Sequence, residues 1–353
     1  MNVTKEVRHN AEVVLKGTLP KETVKQFYEK AVDAAVKEVS MSGFRKGHAP
    51  KDLVIKEVGV GFLWKDAAER ALREEVDDLL KQEKLVPIVP LALSLKGAEP
   101  DLDVDFEIVV VTPPVCESFD YKTVAQKALA ALPTEDVTKE TAEAKRAFRT
   151  QVRAIAKMSK PEEVKEGDSQ ENEDKADVAL SDDEAKLVGF ENGEAAEFFI
   201  HGEAEKAVHD RGNQKKRSAV AEALIAGAVC QIPNVLVEEE SRSLLETFKR
   251  DVAGQNLQWN EYLKRVGKTE EQVREDLRPS ATKRITLDLV FGNIIREEKL
   301  ELTEEDKKKE EEFAHKIVSQ GVPHDRAHSY ARESFMREKV WEVVGVKSEP
   351  AVS

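Results

Sequence analysis

The chain has 353 residues, which predicts two or three domains at about 100–200 residues per domain. Charged residues make up 35% and hydrophobic residues 40%, a balance too apolar for a chain that is disordered throughout. The formal net charge of -14 argues against generic binding to DNA or RNA. The first residues form no apolar signal core, and no run of about 18 apolar residues occurs. We therefore expect a cytoplasmic protein with no membrane partner.

The negative charge is concentrated in one segment. Between Lys160 and Asp210 there are 17 acidic residues and five lysines, so this segment carries -12 and the rest of the chain only -2. The stretch from Pro161 to Asp183 has no aromatic residue and few apolar ones. Such a stretch cannot bury enough surface to fold alone. The sequence therefore predicts two nearly neutral halves joined by an acidic linker.

The pattern of apolar residues in the N-terminal half predicts a compact α+β domain over residues 1–114. Apolar and polar residues alternate over 7–15, which predicts one half-buried strand. Apolar stripes at helical spacing over 24–39 and 64–80 predict two helices. Alternation returns over 91–110, which predicts a hairpin with one wet face. The expected order is β-α-α-β-β.

A loop lies between the two predicted helices and reads Gly43-Phe44-Arg45-Lys46-Gly47-His48-Ala49-Pro50. Two glycines and a proline predict tight turns that hold the intervening residues at an exposed tip. Cations that neutralise phosphate and a ring that stacks or inserts suit RNA beside a protein edge, and Lys51 and Lys56 extend this basic patch. The alternative is an ordinary helix–helix loop whose Phe44 folds back onto the core.

This loop resembles the ribosome-docking motif of the trigger factor family, bacterial chaperones at the polypeptide exit tunnel. The family usually has lysine where this chain has His48. The resemblance implies that Phe44, Arg45 and Lys46 contact a protein of the large subunit and adjacent ribosomal RNA. From this resemblance we expect six ribosome-binding residues in the loop: Gly43, Phe44, Arg45, Lys46, Gly47 and Pro50.

The middle of the chain is where trigger factors carry an FKBP-like prolyl isomerase domain. Residues 134–158 have a helical pattern and resemble the family's segment before that domain, so we expect a linking leg over 115–159. An isomerase fold needs on the order of 80–100 residues, more than this segment offers. We expect an acidic linker over 160–212, a short hairpin over 184–202 around Glu191-Asn192-Gly193, and no catalytic isomerase.

The C-terminal part predicts an elongated all-α domain over residues 213–353, which resembles the chaperone domain of the family. Broad apolar stripes alternate with highly charged helix faces. One reading is that the stripes are simply the core of a helical bundle, and the other is that some of them face clients. The expected client-binding residues are Leu236, Leu244, Leu245, Phe248, Ile285, Leu289, Phe291 and Ile294.

Other motifs give no catalytic, metal or cofactor site. Gly267-Lys268-Thr269 resembles the end of a phosphate-binding loop, but Tyr262 stands where that loop needs a glycine. His324 and His328 are four residues apart, yet a metal site needs further ligands that the sequence does not place, so we expect surface histidines. The two cysteines, Cys116 and Cys230, exclude a disulfide framework, and we expect unreactive thiols.

The sequence therefore predicts an ATP-independent chaperone without cofactors. The resemblance to the trigger factor family implies that it docks at the exit tunnel of the large ribosomal subunit, holds unfolded nascent chains through apolar surfaces, and assists folding and export. Homodimerisation away from the ribosome stays open. Two alternatives also stay open: a prolyl isomerase with a reduced domain, and a holdase that works without the ribosome.

Overall fold

The computed structural model describes residues 3–8, 10–133, 136–158 and 177–346. Contacts group the chain into two compact units, Met1–Glu117 with Val229–Leu289, and Ser118–Ala228 with Val290–Ser353. Most of the linker expected over 161–183 lies outside the described residues. The four-part division expected from the sequence stays a prediction.

The first unit begins with a four-stranded antiparallel sheet of order β1-β2-β4-β3. The strands are β1 (Val3–Arg8), β2 (Glu12–Leu19), β3 (Ala92–Lys96) and β4 (Val104–Val111). Three helices lie between β2 and β3: α1 (Lys21–Glu38), α2 (Lys51–Val58) and α3 (Val60–Gln82).

The core of this part forms where α1 and α3 cover one face of the sheet. Leu15 and Ile108 stand opposite each other on β2 and β4, and both are fully buried. Trp64 of α3 packs in the same cluster, with its ring centroid 6.0 Å from that of Tyr28. The expected hairpin over 91–110 is confirmed, since β3 pairs antiparallel with β4.

The single strand expected over residues 7–15 is wrong. The segment is a hairpin in which Val7 of β1 pairs with Val13 of β2, and Ala11 adopts a φ of 53° where the chain reverses. Alternation continues through a tight hairpin, so the pattern alone does not distinguish one long strand from two paired ones. With the short α2, the order is β-β-α-α-α-β-β rather than β-α-α-β-β.

The rest of the first unit is mainly helical. Its elements are β5 (Val115–Cys116), β6 (Cys230–Gln231), α8 (Asn234–Gly254), α9 (Trp259–Val266) and the part of α10 (Glu270–Glu297) up to Leu289. Cys116 and Cys230 stand opposite each other in the β5–β6 pair and are joined as a disulfide. The expectation of unreactive thiols is therefore wrong: 114 residues separate the two cysteines in sequence, and only strand pairing brings them together.

The second unit is helical throughout its described residues. It contains α4 (Tyr121–Ala130), α5 (Val137–Met158), α6 (Asp182–Leu187), α7 (Gly193–Gly227), the end of α10, α11 (Glu304–Ser319) and α12 (His324–Val343). Ile200, Leu224 and Ile294 are fully buried. The rings of Phe291 and Trp341 pack edge to face, with their centroids 5.1 Å apart. In neither unit is a described helix long and apolar enough to cross a membrane.

The hairpin expected over 184–202 is wrong. Ser181 and Glu184 form a capping box that begins α6. The Asn192 side chain accepts a hydrogen bond from the backbone N–H of Ala195 and caps α7. The dipeptide Asn192-Gly193 therefore starts a helix instead of making a turn. Helix α7 then continues without a break through residues 212 and 213.

Candidate functional site

The loop between α1 and α2 consists of two successive β-turns. The N–H of Phe44 donates to the carbonyl of Met41 at 3.1 Å, and the N–H of His48 donates to that of Arg45 at 3.0 Å. Gly43 and Gly47 occupy the third position of these turns with φ values of 87° and 86°. Ser42 and Lys46 at the second position have no positive φ, so a positive φ at the third position makes these type II turns, a position that favours glycine. The spacing of four between the glycines therefore produces the pair of turns.

The side chains between the glycines point to solvent. Phe44 is 40% exposed and does not belong to the core cluster, which rules out the alternative in which it folds back onto the core. Arg45 and Lys46 are exposed, and the structure gives neither an ion pair within the described residues. Ala49 is buried and anchors the loop, and Pro50 precedes α2 as its N-cap residue.

The expectation that Lys51 extends the basic patch is wrong. Its ammonium lies 2.6 Å from Asp33 and 3.4 Å from Glu29 of α1. The hydrogen bond to Asp33 raises the pKa of Lys51 above its ordinary value, so the lysine stays charged but is compensated. Lys56 is exposed. The site therefore presents one ring and two adjacent uncompensated cations, the side-chain types that pack on a protein edge and pair with phosphate.

The expected client-binding residues divide into two sets. Leu245, Phe291 and Ile294 are buried, so their expected contact with clients is wrong. They lie on the inner side of stripes that are wide enough to be partly core and partly surface. The others remain partly exposed: Leu236, Leu244 and Phe248 on α8, and Ile285 and Leu289 on α10.

Two aromatic residues near this surface were not expected from the sequence. The rings of Trp259 and Tyr262 of α9 are stacked, with their centroids 5.4 Å apart. The ring of Phe248 packs edge to face against both, with centroid distances of 5.9 Å to Trp259 and 5.2 Å to Tyr262. The indole N–H of Trp259 donates to Glu270 at 2.8 Å. The available signal was the spacing of three between Trp259 and Tyr262, which places both on one face of a helix.

Two arginines of α5 bind α6 and α7 through hydrogen bonds. Arg149 donates to both carboxylate oxygens of Glu197 at 2.7–3.1 Å. Arg153, only 3% exposed, donates to Glu184 at 2.9 Å and to the carbonyls of Val178 and Ala179. Arginine can satisfy several acceptors in one plane, which suits it to a buried junction.

These contacts lower the pKa values of both glutamates. Burial by itself raises the pKa of Glu184, but the backbone hydrogen bond from Ser181 and the Arg153 side chain outweigh it and leave the pKa below 4.5. Burial also raises the pKa of Glu197, and Arg149 with the N–H of Leu180 again lowers it below 4.5 overall. Both carboxylates are therefore held ionised in the folded protein.

The remaining motifs have structural roles. Gly267 adopts a left-handed conformation and ends α9, so Gly267-Lys268-Thr269 is a helix end and not part of a phosphate-binding loop. Among the residues that the structure describes, no three histidine, cysteine or acidic side chains converge as ligands of a metal ion.

Two family models match the chain, and both describe bacterial trigger factor protein. The first covers residues 1–147, and the second, for the C-terminus of that protein, covers 196–342. Similar relatives include the trigger factor of Fusobacterium nucleatum, 22% identical over 92% of this chain and 91% of the relative. The trigger factor of Clostridium tetani is 24% identical over 87% and 88%.

A solved structure has a similar fold, with a TM-score of 0.52 and 17% identity over 98% of this chain and 97% of the other. It was reported under "Promiscuous Substrate Recognition in Folding and Assembly Activities of the Trigger Factor Chaperone". The class of protein is therefore a ribosome-associated folding chaperone. The chain belongs to the trigger factor family.

We predict that α6 and the start of α7 lose protection selectively in acid. Glu184 and Glu197 have lowered pKa values in the folded state, so their stabilisation is present above about pH 4.5 and is lost as pH falls through the folded pKa values. Hydrogen exchange of residues 177–200, corrected for the intrinsic pH dependence, measures this loss.

Replacing Glu197→Gln should lower the local opening free energy by roughly 1–3 kcal/mol at pH 7, because Arg149 loses a charged partner. Glu194→Gln is the matched control, since Glu194 is an exposed glutamate of the same helix. Equal exchange in the two variants would contradict the role assigned to the Arg149–Glu197 pair.

Proposed function

We propose that the chain docks at the exit tunnel of the large ribosomal subunit through Phe44, Arg45 and Lys46. The observation that carries this proposal is the pair of type II turns, which holds one exposed ring and two uncompensated cations side by side. The cations pair with phosphates of ribosomal RNA, and the ring enters an apolar notch of an adjacent ribosomal protein.

The contact is small, and its strength depends on salt. Two cations release few counterions, so affinity falls moderately as the salt concentration rises. The net charge of -14 opposes non-specific attachment elsewhere on RNA. The chain therefore binds reversibly and at one place, in a cytoplasmic cycle between free and ribosome-bound protein.

We further propose that clients are held by the partly exposed apolar side chains of α8 and α10. Each contact contributes weakly, at about 25 cal/mol per Å² of buried apolar area. Several such contacts on one flexible client add up by multivalency, and release needs only dissociation. Holding of nascent chains is therefore independent of ATP and assists folding and export.

We also propose that the chain has no prolyl isomerase activity. Isomerisation needs a dry aromatic pocket around the proline, whereas the Phe198 side chain of α7 is 82% exposed. The family models leave residues 148–195 unmatched. The alignment with the Fusobacterium nucleatum relative runs over 403 positions, more than this chain has residues, so that relative has segments with no counterpart here.

The docking proposal predicts that Phe44→Ala/Arg45→Ala/Lys46→Ala abolishes co-sedimentation with large ribosomal subunits at low salt. The unchanged chain should pellet at low salt and dissociate as salt rises, because its cations bind phosphate. The matched control is Phe62→Ala/Lys65→Ala/Arg73→Ala, which removes the same residue types from exposed positions of α3. Equal pelleting of the loop variant and the unchanged chain would favour the ribosome-independent holdase.

The client proposal predicts that Leu244→Gln/Leu289→Gln weakens client holding. Loss of about 60 Å² of apolar contact corresponds to about 1.5 kcal/mol, or roughly a tenfold rise in Kd for an unfolded client. Suppression of aggregation on dilution of a denatured client measures it. Leu53→Gln/Leu102→Gln, at two exposed leucines of the N-terminal part, should leave holding unchanged, and a similar loss in both variants would locate client binding elsewhere.

The third proposal predicts that a protease-coupled assay with a proline-containing peptide gives only the uncatalysed rate. Proline isomerisation takes about 10–100 s at 25 °C without a catalyst, so even weak turnover is measurable. Acceleration that grows with protein concentration would restore the isomerase alternative. Ribosome binding by the same preparation is the control that the protein is active.

A further inference from the structure

The first unit is built from two segments that are far apart in sequence, Met1–Glu117 and Val229–Leu289. The first segment carries the loop that contains Phe44, and the second carries α8, α9 and the part of α10 up to Leu289. Strand β5 lies at the end of the first segment, and β6 lies at the start of the second. The pairing of these strands therefore joins the part that is proposed to dock to a part that is proposed to hold clients.

The backbone pairing at this junction is short. Each of the two strands has two residues, and the N–H of Glu117 adds one hydrogen bond to the carbonyl of Val229 at 2.9 Å. Even an isolated two-stranded hairpin is marginally stable at best in water. The disulfide between Cys116 and Cys230 is therefore the bond that secures the junction, and with two cysteines in the chain it is the one disulfide that the chain can form internally.

The disulfide lies where a thiol reagent can reach it. Cys116 and Cys230 are both partly exposed, and their neighbours Val115 and Val229 are 60% and 61% exposed. Thiol–disulfide exchange requires that a thiolate approach one of the two sulfurs. A disulfide in this position is therefore open to reduction while the protein stays folded, unlike one that is enclosed in a core.

We propose that Cys116 and Cys230 form a reversible redox site that sets how firmly the two segments of the first unit are joined. In the oxidised state the disulfide holds β5 against β6, and in the reduced state the junction depends on noncovalent contacts alone. The inference rests on the proposed function for its setting, because a cytoplasmic chaperone works among thiol reductants. Disulfides in that compartment are usually transient or redox-sensing rather than structural.

The exchange is a balanced two-electron reaction with a dithiol as the reductant. One thiolate of the dithiol attacks the sulfur of one cysteine, which forms a mixed disulfide and releases the other cysteine as a thiolate. The second thiol of the reductant then attacks the reductant's own sulfur in the mixed disulfide, which releases the second cysteine. The reductant leaves as a cyclic disulfide, and its two protons pass to the two cysteine thiolates. Oxidised glutathione reverses the reaction and leaves as two molecules of reduced glutathione.

The size of the effect follows from the loop that the bond closes. The two cysteines are 114 residues apart in sequence, and a cross-link stabilises more when it closes a longer loop. Much of the intervening chain is itself folded into helices, which shortens the effective loop. We therefore expect reduction to raise the equilibrium constant for local opening of the junction by about 10–100-fold, less than for an unstructured loop of this length.

The first experiment measures whether the bond is reversible in the folded chain. The full-length chain is incubated at neutral pH in dithiothreitol without denaturant, and its thiols are then labelled with a maleimide that adds a measurable mass. Because Cys116 and Cys230 are the two cysteines of the sequence, the labels report on this bond alone. We expect two labels per chain after reduction, none after treatment with oxidised glutathione, and the same circular dichroism in both states.

The second experiment measures the junction by hydrogen exchange of peptides that contain β5 and β6. Reduction should speed exchange of the Glu117 amide, which donates across the junction, by about 10–100-fold. The matched control is Cys116→Ser/Cys230→Ser, which should exchange like the reduced chain and should not respond to dithiothreitol. Peptides of β2 and β4 should exchange alike in every state, because these strands belong to a separate sheet.

Three results would overturn the proposal. The first is a disulfide that resists dithiothreitol until the chain is unfolded, since the bond is then purely structural. The second is a chain that still takes two labels after treatment with oxidised glutathione, and the third is equal exchange of β5 and β6 in the oxidised and reduced chains. Both experiments compare two states of the unchanged chain, so they are decisive even if the serine variant does not fold. Neither uses ribosomes or clients, so failure of this proposal is distinguishable from failure of docking or client holding.

Discussion

The left-handed backbone at Gly43 and Gly47 is the constraint on which the exposed loop between α1 and α2, and with it the proposed ribosome docking, depends. Without a Cβ, glycine adopts φ values near +87° and +86° without the penalty that other residues incur. Each glycine completes a type II turn, and the two turns hold Phe44, Arg45 and Lys46 at exposed positions. The loop is therefore preorganised, and binding orders few additional degrees of freedom.

Two arginines, one buried and one partly buried, have a comparable role in the second unit. Arg149 and Arg153 fasten α6 and α7 to α5 through carboxylates and backbone carbonyls, where a chain with so many acidic residues would otherwise repel itself. This acidic segment can therefore form folded structure, because Arg149 and Arg153 compensate the charges of its carboxylates. Phe190, Phe148 and Val152 pack against the small core that results.

The helices of the chaperone part combine core and surface on one stripe. On α8, Leu245 is buried while Leu244 is partly exposed, although the two are adjacent and equally apolar. An apolar stripe wider than the contact with its neighbours leaves side chains at its margin in water. Such margins are compatible with a stable helix, and in the proposed function they supply weak client contacts without weakening the core.

Local patterns determined much of this protein by themselves. The glycine spacing specified the loop, and periodicity specified α1, α3, the β3–β4 hairpin and the mainly helical character of the described residues from 213 to 346, because these features depend on neighbours in sequence. Only the tertiary structure decided that 7–15 is a hairpin, that Asn192 caps a helix, and that Cys116 meets Cys230. It also decided which apolar residues are buried and placed His315 beside His324 and His328. The disulfide, the burial and the placement of the histidines depend on contacts between distant segments, which local periodicity does not encode. The hairpin and the helix cap are local, but the same residue pattern is also compatible with a single strand or a turn.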